Sequence, residues 1–153
     1  MPENPRESVL RRGACTAFYN RIMLSPLAGA PEIAATGERL TSRLRDGGEN
    51  AGKEVCFYTA AEAKITLRSR SIDAALALLA DFTVGEDLCA AARRHPLIFS
   101  PLDDDGSGRS LVFPAACLLP EFSYLPRAER DHEIKLVFLA FPDGAGRLFT
   151  LEP

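Results

Sequence analysis

The sequence lacks the features that would place it at a membrane, outside the cell or on nucleic acid. No apolar run approaches the roughly 20 residues that a membrane-spanning helix needs. The first residues contain no hydrophobic core of a signal peptide. The net charge of -3 gives no general basis for nucleic-acid binding, which usually shows as a basic patch or a high pI. We therefore expect no membrane association and no secretion.

The motifs of common enzymes are also missing. The chain holds no phosphate-binding Gly-x-x-x-x-Gly-Lys, no Gly-x-Gly-x-x-Gly and no Gly-x-Ser-x-Gly. Four cysteines are widely spaced, at Cys15, Cys56, Cys89 and Cys117. Without a Cys-x-x-Cys pair they do not indicate structural zinc, and we expect buried free thiols in a reducing compartment. A cysteine nucleophile with a histidine base is formally possible, since both residue types occur.

One acidic cluster, Asp103 to Gly108, raises the question of calcium. A calcium-binding EF-hand loop needs a glutamate at its twelfth position, where this chain has Pro114. We expect a solvated turn that joins two strands. The sequence thus predicts no metal site, no cofactor and no catalytic residue.

At 153 residues the chain is expected to form one domain that buries roughly 70% of the surface of its unfolded form. Residues 1–13 are predicted to be an N-terminal arm, and 14–153 a single β-rich domain. Within it, residues 45–54 hold three glycines and five charged residues with nothing apolar larger than Ala51. Such a segment cannot join a core, so we predict a mobile loop.

About eight segments are typical of β-strands; in one of them Ile65 and Leu67 alternate with polar residues. The clearest helix opens at Ser71, whose hydroxyl is expected to cap it. Glu86 to Arg94 is a candidate second helix. The pattern predicts an α+β fold, mainly antiparallel β, built as a β-sandwich or half-barrel with one or two flanking helices.

The C-terminal run Glu133 to Pro142 has an unusual apolar pattern. With the residues after the Asp143–Gly146 turn signal, it predicts two strands joined by a tight turn. Because strand side chains alternate, one face of the first strand carries Ile134, Leu136, Phe138 and Ala140. The other face becomes apolar at Val137, Leu139 and Phe141. We expect cover on both faces, from a sandwich interior or from a neighbouring subunit.

Several short motifs from Ser110 onward resemble the C-terminal part of bacteriophage tail tube and related tail structural proteins. They are Phe-Pro-Ala-Ala (113–116), Leu-Leu-Pro (118–120), Asp-His-Glu (131–133), Pro-Asp-Gly-Ala-Gly (142–146) and Leu-Phe (148–149). The resemblance implies a fold similar to the type VI secretion tube protein. It also implies a non-enzymatic virion protein whose rings, six copies each, stack into a tube through which DNA passes without specific binding.

The resemblance further implies self-association and contacts with other tail proteins, in the bacterial cytoplasm before assembly and in the virion tail afterwards. The predicted assembly interface comprises two groups of residues. They are Asp46, Gly47, Gly48, Glu49 and Asn50 in the loop, and Val137, Leu139 and Phe141 on the strand. Two alternatives stay open: a tail adaptor or completion protein, and a small cytoplasmic ligand-binding or thiol-dependent enzyme domain.

Overall fold

A computed structural model describes residues 15–43, 54–101, 109–124 and 132–152. The strands are β1 (Cys15–Tyr19), β2 (Ile22–Met23), β3 (Glu32–Arg43), β4 (Glu54–Ser69), β5 (His95–Pro101), β6 (Ser110–Tyr124), β7 (Ile134–Phe141) and β8 (Thr150–Glu152). One helix, α1 (Ile72–Leu79), and one 3-10 turn (Ala91–Arg93) lie between β4 and β5. The predicted N-terminal arm, 1–13, lies outside the described residues.

All eight strands belong to one open sheet in the order β2-β1-β5-β6-β7-β4-β3, with β8 paired to β6. Every neighbouring pair is antiparallel. The prediction of an α+β fold, mainly antiparallel β, is therefore confirmed. Because the strands form one sheet, the half-barrel is the nearer of the two arrangements that the sequence suggested.

One face of the sheet, which we call the core face, packs beneath α1. Alternation along β7 places Ile134, Leu136, Phe138 and Ala140 there, each fully buried. Ala75 and Leu79 of α1 belong to the same buried cluster. The opposite side of the sheet is called the second face below. The sequence reading of β7 as a strand with one fully apolar face is confirmed.

The start of α1 differs from the sequence prediction in its capping group. Ser71 occupies the N-cap position but its side chain makes no capping hydrogen bond. Instead the Ser69 hydroxyl accepts from the Ser71 amide and donates to the Leu24 carbonyl. Ser69 is the one buried polar side chain among the described residues, so these bonds satisfy a group that burial would otherwise penalise.

The second predicted helix, Glu86 to Arg94, was wrong except for the 3-10 turn near its end. Two carboxylates bind nearby amides in this region: Glu86 accepts from the Thr83 amide, and Asp87 accepts from the Cys89 amide. Such local side-chain bonds hold the backbone in turns and compete with helix formation.

Several predicted short strands merge into long ones. β3, β4 and β6 have 12, 16 and 15 residues. β6 continues through Pro114, which cannot donate a ladder bond. The register with β5 shifts at this point, from Leu97 opposite Phe113 to His95 opposite Ala116, so the proline falls at an irregularity in the ladder.

The predicted terminal hairpin was wrong. β7 and β8 both pair antiparallel with β6, at residues 115–124 and 110–112 respectively, so they run in the same direction along one edge of β6. The turn signal itself is real: the Asp143 carboxylate accepts from the amides of Ala145 and Arg147. Here the tight turn forms an excursion between two collinear strands, which the sequence alone does not distinguish from a hairpin.

Candidate assembly surfaces

A two-stranded arm projects from one edge of the sheet. β7 pairs with β4 only at residues 63–69, whereas β3 pairs with β4 as far as Arg43 opposite Glu54. Residues 36–43 and 54–62, which we call the arm, therefore form a ladder whose only described partner is each other. No described strand pairs with either outer edge of the arm, and such edges can template pairing with another chain.

An irregularity in the arm decides which side chains share a face. The register passes from Glu38 opposite Ala60 directly to Arg39 opposite Tyr58, so Thr59 is an extra residue, a β-bulge. Alternation then places Tyr58 on the core face and Phe57 with Leu40 on the second face. The Tyr58 ring lies over Gly37, where an added Cβ would come within 2.9 Å of it.

The arm exposes large apolar side chains. Leu40 and Phe57 are direct cross-strand partners and are 57% and 53% exposed, and Tyr58 is 79% exposed. An isolated two-stranded ribbon is marginal in water, and exposed aromatic and leucine side chains add an unfavourable hydration cost. This combination is typical of a surface that is covered in an assembly.

The predicted loop interface continues from this arm. Residues 45–53, including Asp46, Gly47, Gly48, Glu49 and Asn50, lie outside the described residues. Glu54, the last residue of the predicted loop, begins β4. Arg43 and Glu54, the described residues nearest to this segment on either side, pair at the end of the arm, and the segment's part in assembly stays a prediction.

The second half of the predicted interface, on the second face of β7, has cover from its own chain. Val137 is 7% exposed, and Leu139 and Phe141 are half-buried. The Arg94 guanidinium lies 4.9 Å from the centre of the Phe141 ring, a cation–π contact. The chain itself therefore buries part of this apolar face, and the interface role of these residues stays a prediction.

On the core face of the sheet, a cavity of about 250 Å³ lies between the β1–β2 hairpin and α1. Sequence reasoning missed it, because its residues come from distant parts of the chain. Apolar side chains in its lining are Ile22, Ala77, Leu78, Phe82 and Leu118, and polar ones are Tyr19, Asn20, Asp81, Arg93 and His95. The hairpin turns tightly at Asn20 and Arg21, which both have positive φ, 50° and 66°.

Arg93 fixes one wall of this cavity. Its guanidinium donates to the carboxylates of Asp81 and Glu86 and lies 4.6 Å from the centre of the Phe82 ring. The hydrogen bond that Arg93 donates to Glu86 holds the pKa of Glu86 below its usual value, and the same bond raises the pKa of Arg93. These contacts hold the chain between α1 and β5 against the helix end.

Tyr19 forms the floor. Its hydroxyl lies 3.0 Å from the Ala116 carbonyl and 3.1 Å from the Arg93 carbonyl, and it accepts from the Leu118 amide. Burial raises the pKa of Tyr19 to about 12, since the phenolate would lose its hydration. The ring packs against Phe138 with 4.9 Å between centroids. Tyr19 is thus a structural group that joins β1, β6 and the 3-10 turn.

The prediction of four buried thiols is half wrong. Cys15 and Cys117 are buried, but Cys56 and Cys89 are exposed. Cys56 belongs to the projecting arm and Cys89 to the turns after α1, two segments with little core behind them. Burial raises the pKa of Cys15 and of Cys117. A nucleophilic thiol needs a lowered pKa, so these two offer no support for the thiol-dependent alternative.

Neither histidine belongs to a group that resembles a metal site. In the described ranges, no cluster of three or more His, Cys, Asp or Glu side chains could hold a metal ion. His132 Nδ1 lies 2.8 Å from the Tyr124 hydroxyl, and the His95 ring packs against Tyr19. Among the same residues, no helix has the length and apolarity needed to span a membrane.

No protein-family model and no curated protein matches the sequence. Solved structures match at 10–14% identity. A chain of the PVC extracellular contractile injection system, sheath-tube complex in the extended state, has a TM-score of 0.57 at 10% identity, with 99% of both chains covered. A chain of the same system's sheath/tube terminator has a TM-score of 0.56 at 10% identity, covering 92% of this chain and 94% of that one.

A third match comes from the virion of the native gene transfer agent particle, with a TM-score of 0.51 at 12% identity over 99% and 100% of the two chains. The likeness shows the fold. The matched structures are chains of an extracellular contractile injection system and of a gene transfer agent particle.

Proposed function

We propose that this protein is a non-enzymatic structural subunit of a phage-tail-like particle. Its copies assemble into rings, six per ring as the sequence resemblance implies, and the rings stack into a tube. The observation that carries the proposal is the arm, which exposes Leu40, Phe57 and Tyr58 on a two-stranded ladder with free edges. The fold shared with chains of contractile injection systems and a gene transfer agent supports it.

The exposed surface of the arm is unfavourable in a single copy of the chain. A ribbon of this kind, with apolar side chains in water and unpaired backbone groups at both edges, gains free energy when another chain covers it. An enzyme of this size would instead need an enclosed site with activated groups. In the described part of the chain, the cysteine pKa shifts that are resolved run upward, away from activation.

The direct test is the assembly state of the purified chain. Light scattering after size exclusion, over a hundredfold range of concentration, is expected to show a closed oligomer, and negative-stain microscopy is expected to show six-fold rings or tubes. A chain that stays monomeric at high concentration and forms neither rings nor tubes would refute the proposal.

The predicted loop, residues 45–54, has its own test. Deletion of residues 46–52 is expected to leave the circular dichroism spectrum and the rings unchanged but to abolish tube growth. A variant with a scrambled 46–52 sequence keeps the length of the segment and serves as the control. Tubes of unchanged length in the deletion variant would remove the loop from ring stacking.

The likeness to a sheath/tube terminator gives specific weight to a second candidate, a protein that ends or joins a tube. A terminator forms a single ring with one face that does not propagate. Single rings at all concentrations, with no filaments, would favour this role over the tube subunit.

A further inference from the structure

The arm and the cavity lie at opposite edges of the same sheet. The arm belongs to β3 and β4, and the cavity opens beside β1 and β2, the other end of the strand order. Four strand spacings, about 19 Å, separate β1 from β4. No arm residue lines the cavity of its own copy. Each surface is therefore left without a partner within the described chain.

We propose that Leu40 and Phe57 on the arm of one copy insert into the cavity between the β1–β2 hairpin and α1 of the next copy. This proposal rests on the proposed function and names the contact by which neighbouring copies meet. The occupant of the cavity is a second copy of this chain because the chain itself carries the complementary apolar anchor.

The size and chemistry of the two surfaces agree. A cavity of about 150 Å³ is enough to hold a benzene ring, and this one has about 250 Å³. Its apolar walls include Ile22, Leu78 and Phe82, and polar side chains such as Asn20 and Asp81 stand beside them. An aromatic anchor in an apolar pocket with a polar rim is the usual composition of an interface hot spot.

The cavity mouth also exposes apolar surface that a single copy leaves in water. Ile22, a lining residue on the short edge strand β2, is 36% exposed. Only β1 pairs with β2 among the described strands. An arriving arm would cover Ile22 together with its own exposed pair, so both surfaces lose contact with water in one step.

The symmetry of the assembly follows from this placement. Two different patches on one molecule make a head-to-tail contact, which closes into a ring or continues as a filament. A contact between two arms would instead be self-complementary and would stop at a dimer. The proposed contact is thus of the head-to-tail kind that a ring requires.

Two single substitutions block the contact from either side. Phe57→Ser removes the aromatic anchor from the arm. Phe122→Ser is its matched control, because Phe122 is 54% exposed and Phe57 53% exposed, but Phe122 lies on β6, outside the arm. Ala77→Trp fills the cavity from its exposed rim; Ala80→Trp is its control, on an exposed residue of the same helix end outside the lining. These exposed sites leave the core unchanged.

We expect Phe57→Ser and Ala77→Trp each to raise the concentration needed for assembly about 30-fold or more, the effect of losing one hot spot. The two controls should assemble as the wild type does. Circular dichroism and thermal melting of all four variants check that the monomer is intact.

Mixing the two blocked variants gives the decisive measurement. The Phe57→Ser copy keeps its cavity and the Ala77→Trp copy keeps its arm, so native mass spectrometry is expected to show a 1:1 heterodimer that grows no further. If the wild type forms rings and both variants also assemble normally, this contact is overturned and the proposed function stands. The same holds if the wild type forms rings but the mixture gives no heterodimer. A wild type that never associates would overturn both.

Discussion

The hydroxyl of Tyr19 permits a quantitative test of how the fold is held together. It contacts the backbone of Ala116, Arg93 and Leu118, and Tyr19 is 4% exposed. Tyr19→Phe keeps the ring but leaves the buried Leu118 amide without its acceptor. An orphaned buried donor costs about 1–3 kcal/mol, so we expect the free energy of unfolding at pH 7 to fall by about 2 kcal/mol.

The pH dependence of that difference gives a second, independent number. The pKa of Tyr19 is raised to about 12 in the folded protein, from 10.0 for an unperturbed tyrosine. A raised pKa means that the unfolded chain loses its proton first as the pH rises. The resulting stability is complete below pH 10 and disappears as the pH approaches 12. Between pH 7 and pH 11 the wild type therefore loses about 1.4 kcal/mol that the phenylalanine variant keeps.

Urea unfolding followed by circular dichroism at pH 7, 9, 10 and 11 measures both numbers. The difference in unfolding free energy between wild type and Tyr19→Phe should be constant up to pH 9 and should then narrow. Titration of groups that do not interact with Tyr19 cancels in this difference. Tyr58→Phe, at a site 79% exposed, is the control and should stay within about 0.5 kcal/mol of wild type at pH 7. A difference in unfolding free energy between wild type and Tyr19→Phe that stays constant up to pH 11 would refute the assigned environment of Tyr19.

Two further predictions concern the core and the thiols. Phe138→Ala removes a fully buried ring from the centre of the core face and should lower the free energy of unfolding by about 3–5 kcal/mol. Phe122→Ala, at an exposed site, should change it by less than about 1 kcal/mol. Equal effects of the two substitutions in urea unfolding would contradict the assigned faces. Iodoacetamide at pH 8 followed by mass spectrometry should label two thiols in the native protein and four after unfolding. The fast pair is expected to be Cys56 and Cys89; rapid labelling of a third thiol would contradict the described burial.

Much of the sheet could be predicted from the sequence because its signals are local. Alternation identifies β7 and its core face, since Ile134, Leu136 and Phe138 recur at every second residue and are all fully buried. The helix from Ile72 is equally clear from its periodicity. The antiparallel pairing of β5 with β6 also follows, because two short strands flank a turn-rich segment.

The misses depend on tertiary structure. Whether the turn at Asp143 closes a hairpin or an excursion depends on which strand pairs with β8, and that strand is β6, some forty residues earlier in the chain. The exposure of Phe57 and Tyr58 was missed because an aromatic β-prone segment has the same pattern in a core and in a projecting arm. The cavity was missed because four separate stretches of the chain contribute to it, at 19–22, 77–82, 93–95 and 118.

The bulge at Thr59 makes the surface of the arm depend on the number of residues in β4 rather than on their composition. Because one extra residue shifts the phase of the strand, Phe57 points to the second face and Tyr58 to the core face. A regular strand of the same length would place Phe57 on the core face and Tyr58 on the second face. The bulge, and not the hydrophobicity of the segment, therefore decides which aromatic ring each face of the arm presents to a neighbour.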